Sequence, residues 1–125
     1  MITGASGSGK SSLALELMAR GATLVADDRV ILTQVGPDVI VTCPEPLLGM
    51  IEARGIGLLH ADWTPSAALA FVVDMDQIEE KRLPIHRAIT LLSNSFPLLH
   101  KVESQHFPPA LLQYLRSSGR AESHG

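Results

Sequence analysis

Apolar residues fall in short blocks separated by glycine, proline and acidic punctuation, and the period of the blocks changes along the chain. Residues 11–20 carry good helix formers, with Leu13, Leu17 and Met18 near one face and Glu16 and Arg20 near the other. This spacing predicts a helix, with Gly21 as its natural C-terminal cap. Ahead of it, Met1-Ile2-Thr3 reads as the last residues of a strand, cut short, that enters a Gly/Ser-rich loop over residues 4–9. Residues 22–26 predict a short buried strand ending in Asp27-Asp28-Arg29. Val30-Ile31-Leu32-Thr33 and Val39-Ile40-Val41-Thr42 flank the turn signature Gly36-Pro37-Asp38, a hairpin pattern.

Pro44 and Pro46 interrupt the chain before a segment over residues 47–54, expected as a helical turn. Residues 55–59 predict a strand edge. Residues 67–73 form an apolar run, expected as one strand leading into Asp74-Met75-Asp76, and residues 77–82 are charged and read as exposed. Residues 89–92 predict a further strand, and residues 108–116 a short helix that starts on proline. The polar end, residues 117–125, is expected to be a flexible tail. With no repeat or internal linker, the order of elements predicts one mixed α/β domain over residues 1–116, a sheet with flanking helices.

At 125 residues the chain is of single-domain length, against about 100–200 residues for a typical domain. A hydrophobic content of 46% against 18% charged residues excludes wholesale disorder, and only 4% aromatics leaves the core to Leu, Ile, Val, Ala and Met. The net charge of -3 argues against a basic nucleic-acid binder. The single cysteine, Cys43, cannot form an internal disulfide and fits a reducing compartment. No apolar run approaches the ~18 residues needed to span a bilayer, and no basic segment leads into an apolar one at the start. The expectation is a cytoplasmic domain with neither membrane nor nucleic acid as partner.

The first stretch of specific chemistry is Gly4-Ala5-Ser6-Gly7-Ser8-Gly9-Lys10-Ser11, which satisfies G-x-x-x-x-G-K-[ST] at every specified position. Glycines let the backbone wrap closely enough for successive N–H groups to converge on phosphate oxygens. Lys10 adds a point charge for the β- and γ-phosphates, the Ser11 hydroxyl can ligate Mg²⁺, and the following helix turns its positive end toward the same anion. A chance Gly/Ser-rich turn is the bland alternative; strand before and helix after weigh against it.

Asp27 and Asp28 close an apolar segment behind that helix, where strand ends line the ligand crevice of an open α/β sheet. One carboxylate there could hold Mg²⁺ and another accept a proton from an attacking hydroxyl. Taken alone, the pair fits a solvated strand-to-turn junction better, since Asp favours turns. Met50-Ile51-Glu52-Ala53-Arg54-Gly55-Ile56-Gly57 places an acid and a base two residues apart before two glycines, a pattern that also occurs as a surface ion pair beside a loop.

In combination these segments are specific. The phosphate loop, then Leu24-Val25-Ala26-Asp27-Asp28-Arg29-Val30, then Ile51-Glu52-Ala53-Arg54-Gly55-Ile56-Gly57 resembles the catalytic domain of HPr kinase/phosphorylase, in its short alphaproteobacterial form. The resemblance is close over residues 4–60 and looser to about residue 101, where Glu80-Lys81-Arg82-Leu83-Pro84 looks like the family's basic segment near the acceptor site. It implies a P-loop kinase fold of the HPr kinase/PEP carboxykinase-like type. The implied reaction is ATP- and Mg²⁺-dependent phosphorylation of a serine on an HPr-like phosphocarrier, in phosphotransferase-system regulation, with phosphorolysis as its reverse. On that resemblance Lys10 holds the β/γ-phosphates, Ser11 and Glu52 face Mg²⁺, Asp28 is the base, Asp27 and Arg54 support the site, and Arg82 stabilises charge on the phosphoryl group in transfer. Longer members assemble as hexamers, which leaves a homo-oligomer open.

Other features carry less. Asp74, at the end of Phe71-Val72-Val73, has the look of a Walker B aspartate, but a strand-end turn acid is the better reading, since on the resemblance Asp28 and Glu52 already do the metal work. His60, His86, His100 and His106 have no metal-ligand spacing. Two rival functions share the loop: a small-molecule kinase of the gluconate or shikimate sort, which needs a lid richer in arginine than Arg82 and Arg87 provide, and a non-catalytic ATP-binding regulator.

Overall fold

In a computed structural model describing residues 1–45 and 48–117, the elements in chain order are β1 (Ile2–Thr3), α1 (Lys10–Ala19), β2 (Ile31–Val35), β3 (Asp38–Thr42), β4 (Met50–Ala53), β5 (Gly57–His60), β6 (Ser66–Ala68), β7 (Val72–Ile78), β8 (Arg87–Leu91), β9 (Asn94–Lys101) and α2 (Phe107–Arg116). The fold is mixed α/β. The chain divides into two compact units, one of Met1–Lys10 with the chain from Ala70 onward, the other of Ser11–Leu69.

The first unit is a four-stranded sheet in the order β1-β7-β9-β8, parallel between β1 and β7 and between β7 and β9, antiparallel between β9 and β8. Its apolar centre is β7, where Val72 and Val73 are 0% and 1% exposed. Continuous apolar sequence is what a strand flanked by parallel neighbours needs. Phe107 and Leu111 of α2 are buried too, and the Tyr114 ring meets Phe71 edge-on at 4.8 Å. The parallel pairing of β7 with β9 is interrupted: from the Asp74–His100 pair to the Ile78–Lys101 pair, β7 advances four residues while β9 advances one. The Asp74 carboxylate accepts the Asp76 N–H at 2.9 Å inside this excursion.

The second unit holds the antiparallel sheet β2-β3-β6, the hairpin β4-β5 and the greater part of α1. Helix α1 ends as the sequence predicts. Gly21 takes φ 102°, the Ala22 N–H reaches the Leu17 carbonyl at 3.0 Å and the Gly21 N–H that of Met18 at 3.0 Å, the paired bonds of a Schellman cap.

Both helices, the β2-β3 hairpin, and strands at β5 and β8 stand where the sequence pattern puts them. Four expectations are corrected. Residues 22–26 form no ladder; Leu24 alone makes a parallel bridge to Trp63, its N–H on the Asp62 carbonyl at 3.0 Å and its carbonyl accepting the Thr64 N–H at 2.8 Å. Residues 50–53 are a strand and not a helical turn: Ile51 and Ala53 are buried while Glu52 between them is exposed, a period of two; Pro46 and Leu47 lie outside the described residues. The apolar run over 67–73 is divided between β6 and β7, in different sheets, since uniform apolarity carries no mark of the break. Strand β9 was not expected, because Pro97, which removes a ladder donor, sits within it opposite Ala88. The expected tail falls, apart from Ser117, outside the described residues.

Candidate functional site

The phosphate-loop motif occupies the connection from β1 into α1, the strand–loop–helix context it demands. Within the first unit the loop is closed by the Ser8 N–H donating to the Ala5 carbonyl at 3.1 Å, and Lys10 folds back so that Nζ donates to the Gly4 carbonyl at 2.6 Å. Gly4 has φ 147°, and a Cβ there would stand 2.6 Å from Ser8 Oγ and 3.1 Å from Met75 Cβ. The loop therefore requires glycine at its entry for both conformation and space. Ser8 Oγ is buried without a hydrogen-bond partner among the described residues, an unspent polar group inside the loop.

Two side chains of the same unit join the loop unannounced by the sequence pattern. Both carboxylate oxygens of Asp76 accept the Ala5 N–H at 3.0 Å, and Lys101 Nζ donates to the Ser8 carbonyl at 3.3 Å. The one available signal was the alternate acids of Asp74-Met75-Asp76; nothing marked Lys101. Asp74 itself is engaged with its neighbour's backbone. Arg82 is exposed in the bend between β7 and β8, and no hydrogen bond among the described residues ties it to the loop.

In the second unit, Ser11 stands in the first turn of α1. The Asp27 carboxylate accepts the backbone N–H of Glu52 at 2.9 Å, which joins the two acidic segments. Asp28 has φ 64°, and the Arg29 N–H donates to the Asp27 carbonyl across it at 2.7 Å. A three-residue turn with positive φ is the strained γ-turn form, and it leaves the Asp28 side chain exposed. The Glu52 side chain projects outward from β4, and Arg54 is exposed in the hairpin turn that the Ile56 N–H closes on the Ala53 carbonyl at 2.9 Å. Cys43 is buried, and burial first, then the charge of Asp27, pushes its thiol pKa up. It is a packed thiol and not a nucleophile.

For Mg²⁺ the donor chemistry fits. Ser11 and Glu52 offer a hydroxyl and a carboxylate, hard oxygen donors, and no group of three or more His, Cys, Asp or Glu among the described residues forms a metal cluster. Mg²⁺ takes oxygen donors of this kind, usually one or two from the protein together with substrate phosphates. No helix of the described residues is long and apolar enough to cross a membrane.

The family model for the HPr Serine kinase C-terminal domain matches residues 1–83, a segment holding the phosphate loop, Asp27, Asp28, Glu52, Arg54 and Arg82. The chain belongs to the HPr Serine kinase C-terminal domain family. The HPr kinase/phosphorylases of Xanthomonas campestris pv. campestris (strain B100) and Xylella fastidiosa (strain M12) are each 57% identical to it over 61 residues, 48% of this chain. The chain matches 19% of the length of those relatives. A solved structure of the Hpr(Ser) kinase/phosphatase from Coxiella burnetii superimposes with a TM-score of 0.77, covering 93% of this chain and 79% of that one at 23% identity. The fold likeness thus reaches beyond the family match and takes in β8, β9 and α2.

Proposed function

We propose that this domain is an ATP-dependent protein-serine kinase whose acceptor is an HPr-like phosphocarrier. The observation that carries the reading is the complete phosphate-loop motif in its strand–loop–helix setting, with Lys10 folded across it, followed in order by the Asp27-Asp28 and Glu52-x-Arg54 segments of the family.

In the forward reaction Asp28 accepts the proton of the acceptor seryl hydroxyl as its oxygen bonds to the γ-phosphorus, and the bond from that phosphorus to the β–γ bridging oxygen breaks to leave ADP. Lys10 balances charge on the β- and γ-phosphates, and Arg82 that on the phosphoryl group in flight. Ser11 and Glu52 would hold Mg²⁺, which when bound would add neutralisation of the polyphosphate charge. Asp27 orients the Glu52 backbone, and Arg54 supports the same hairpin. In the reverse direction an oxygen of inorganic phosphate bonds to the seryl phosphorus, the bond from that phosphorus to the serine oxygen breaks, and protonated Asp28 gives its proton to the departing seryl oxygen, leaving serine and pyrophosphate. The reading places the protein in the cytoplasm, with its phosphocarrier.

The test is transfer of labelled γ-phosphate from Mg-ATP to a purified HPr-type phosphocarrier, with an acceptor Ser→Ala control. Label on the wild-type acceptor alone is the expected result. Bound ATP with no label on either acceptor would move the assignment to a nucleotide-binding regulator or a small-molecule kinase.

A further inference from the structure

A trans peptide points its C=O and N–H in opposite directions, so a group that fixes one end fixes the other. Two peptides of the phosphate loop are fixed in this way. In the Gly4–Ala5 peptide the carbonyl accepts from Lys10 Nζ at 2.6 Å while the N–H, on the other side, is taken by the Asp76 carboxylate at 3.0 Å. In the Ser8–Gly9 peptide the carbonyl accepts from Lys101 Nζ at 3.3 Å, which turns the Gly9 N–H to the opposite side.

The sheet is built to deliver both side chains. Asp76 lies within the excursion of β7 between the Asp74–His100 and Ile78–Lys101 pairs, and Lys101 closes it. Irregular pairing of this kind re-aims a side chain at the cost of ladder bonds. The Asp74 carboxylate holds the excursion through the Asp76 N–H, and the Glu79 N–H closes it on the Lys101 carbonyl at 2.8 Å. Neither Asp76 nor Lys101 has an ion-pair partner among the described residues.

We propose that Asp76 and Lys101 are positioning residues of the phosphate loop, a pair of opposite charges that clamp its Gly4–Ala5 and Ser8–Gly9 peptides in the orientation a polyphosphate requires. The proposal rests on the nucleotide-site reading above. Both residues act through the loop backbone, not on the phosphates themselves. A preset loop spares the ordering that binding would otherwise require.

The experiment measures ADP and ATP affinity, with and without Mg²⁺, for the whole chain and for Asp76→Ala, Asp76→Asn, Asp76→Glu, Lys101→Met and Lys101→Arg, with Lys10→Ala as the control for the site. Amide exchange of Ala5 in the nucleotide-free protein is followed alongside. Asp76→Ala and Lys101→Met are expected to weaken both nucleotides about tenfold, the scale of one charge-assisted hydrogen bond. Asparagine, which can still accept the Ala5 N–H but without charge, should recover part of the loss, and arginine, which keeps both the charge and a donor for the Ser8 carbonyl, should stay near wild type. Asp76→Glu, with its carboxylate displaced by a methylene, should lose affinity, and it decides the point should the alanine variant fail to fold. Ala5 exchange should accelerate in Asp76→Ala and recover in Asp76→Asn.

Three results overturn the clamp: wild-type affinity in both truncated variants; an Asp76→Asn loss as large as that of alanine and confined to Mg²⁺ conditions, which would make Asp76 a metal ligand; or a Lys101→Met loss for ATP but none for ADP, which would make Lys101 a direct γ-phosphate contact. A wild-type chain that holds no nucleotide overturns the reading beneath it, and the clamp's function falls with it.

Discussion

The Asp27 carboxylate accepts the backbone N–H of Glu52 at 2.9 Å, so two acidic segments 25 residues apart in sequence are joined by a side-chain-to-main-chain bond. The bond fixes the start of the Glu52-Ala53-Arg54 segment relative to the Asp27-Asp28 turn, within one compact unit. It also leaves the Glu52 carboxylate free to face solvent from β4.

Asp27→Ala should therefore cost about 1 kcal/mol in urea unfolding, the net worth of an exposed hydrogen bond to a charged group, while Asp27→Asn should recover part of it. Because the Asp27 charge adds to burial in raising the Cys43 thiol pKa, Asp27→Asn should speed alkylation of Cys43 at pH 8. An unchanged alkylation rate would remove Asp27 from the surroundings of the thiol.

Asp28 occupies φ 64° at the centre of a γ-turn, a geometry strained for any residue that carries a Cβ. Asp28→Gly should therefore raise the melting temperature, and Asp28→Asn, of the same shape, should leave it unchanged. On the kinase reading Asp28→Asn keeps ATP binding and loses transfer by a factor of about 10²–10⁴, the usual contribution of a general base. Transfer retained in folded Asp28→Asn would falsify the assignment of the base.

The two-residue turn between β8 and β9 has positive φ at both positions, 49° at Leu92 and 64° at Ser93. That is the type I′ geometry, in which Asn-Gly is preferred. Replacing the pair by Leu92→Asn with Ser93→Gly should stabilise the protein by about 1 kcal/mol. A fall in melting temperature would show that Leu92 contributes more through packing than its backbone costs.

Glu79 is paired with Arg87, and the pair is well shielded, the side chains being 9% and 26% exposed. Burial pushes the Glu79 pKa up, but the Arg87 hydrogen bond and charge, the Lys81 N–H and the charge of His100 outweigh it, so the net shift is downward. A depressed folded-state pKa gives stability that is present above the unfolded value of about 4.3 and is lost as pH falls through the folded value. Stability should drop as pH is lowered from about 5 to 3, and the drop should be shallower in Arg87→Met. Equal acid sensitivity in both proteins would rule out the pair as its source.

Much of the site was legible in sequence because a phosphate loop is a local object. Its glycines, Lys10 and Ser11 lie within eight consecutive residues, and the constraint at Gly4 is imposed by Ser8 and Met75, the first of them inside the same loop. The Asp27-Asp28 and Glu52-x-Arg54 segments were legible by resemblance, but their joining through the Glu52 N–H was not, since a side-chain-to-backbone bond leaves no mark on residue type.

Local composition thus determined the loop, both helices and the β2-β3 hairpin, whose turn and capping residues act over a few positions. Tertiary structure alone decided that residues 67–73 would part into strands of two sheets, that Pro97 would sit in an internal strand, and that Asp76 and Lys101 would meet the loop. Each of these depends on which strand lies beside which. The irregular pairing of β7 with β9 that presents Asp76 and Lys101 exists only once residues about 25 apart have been brought together, and no local preference encodes it.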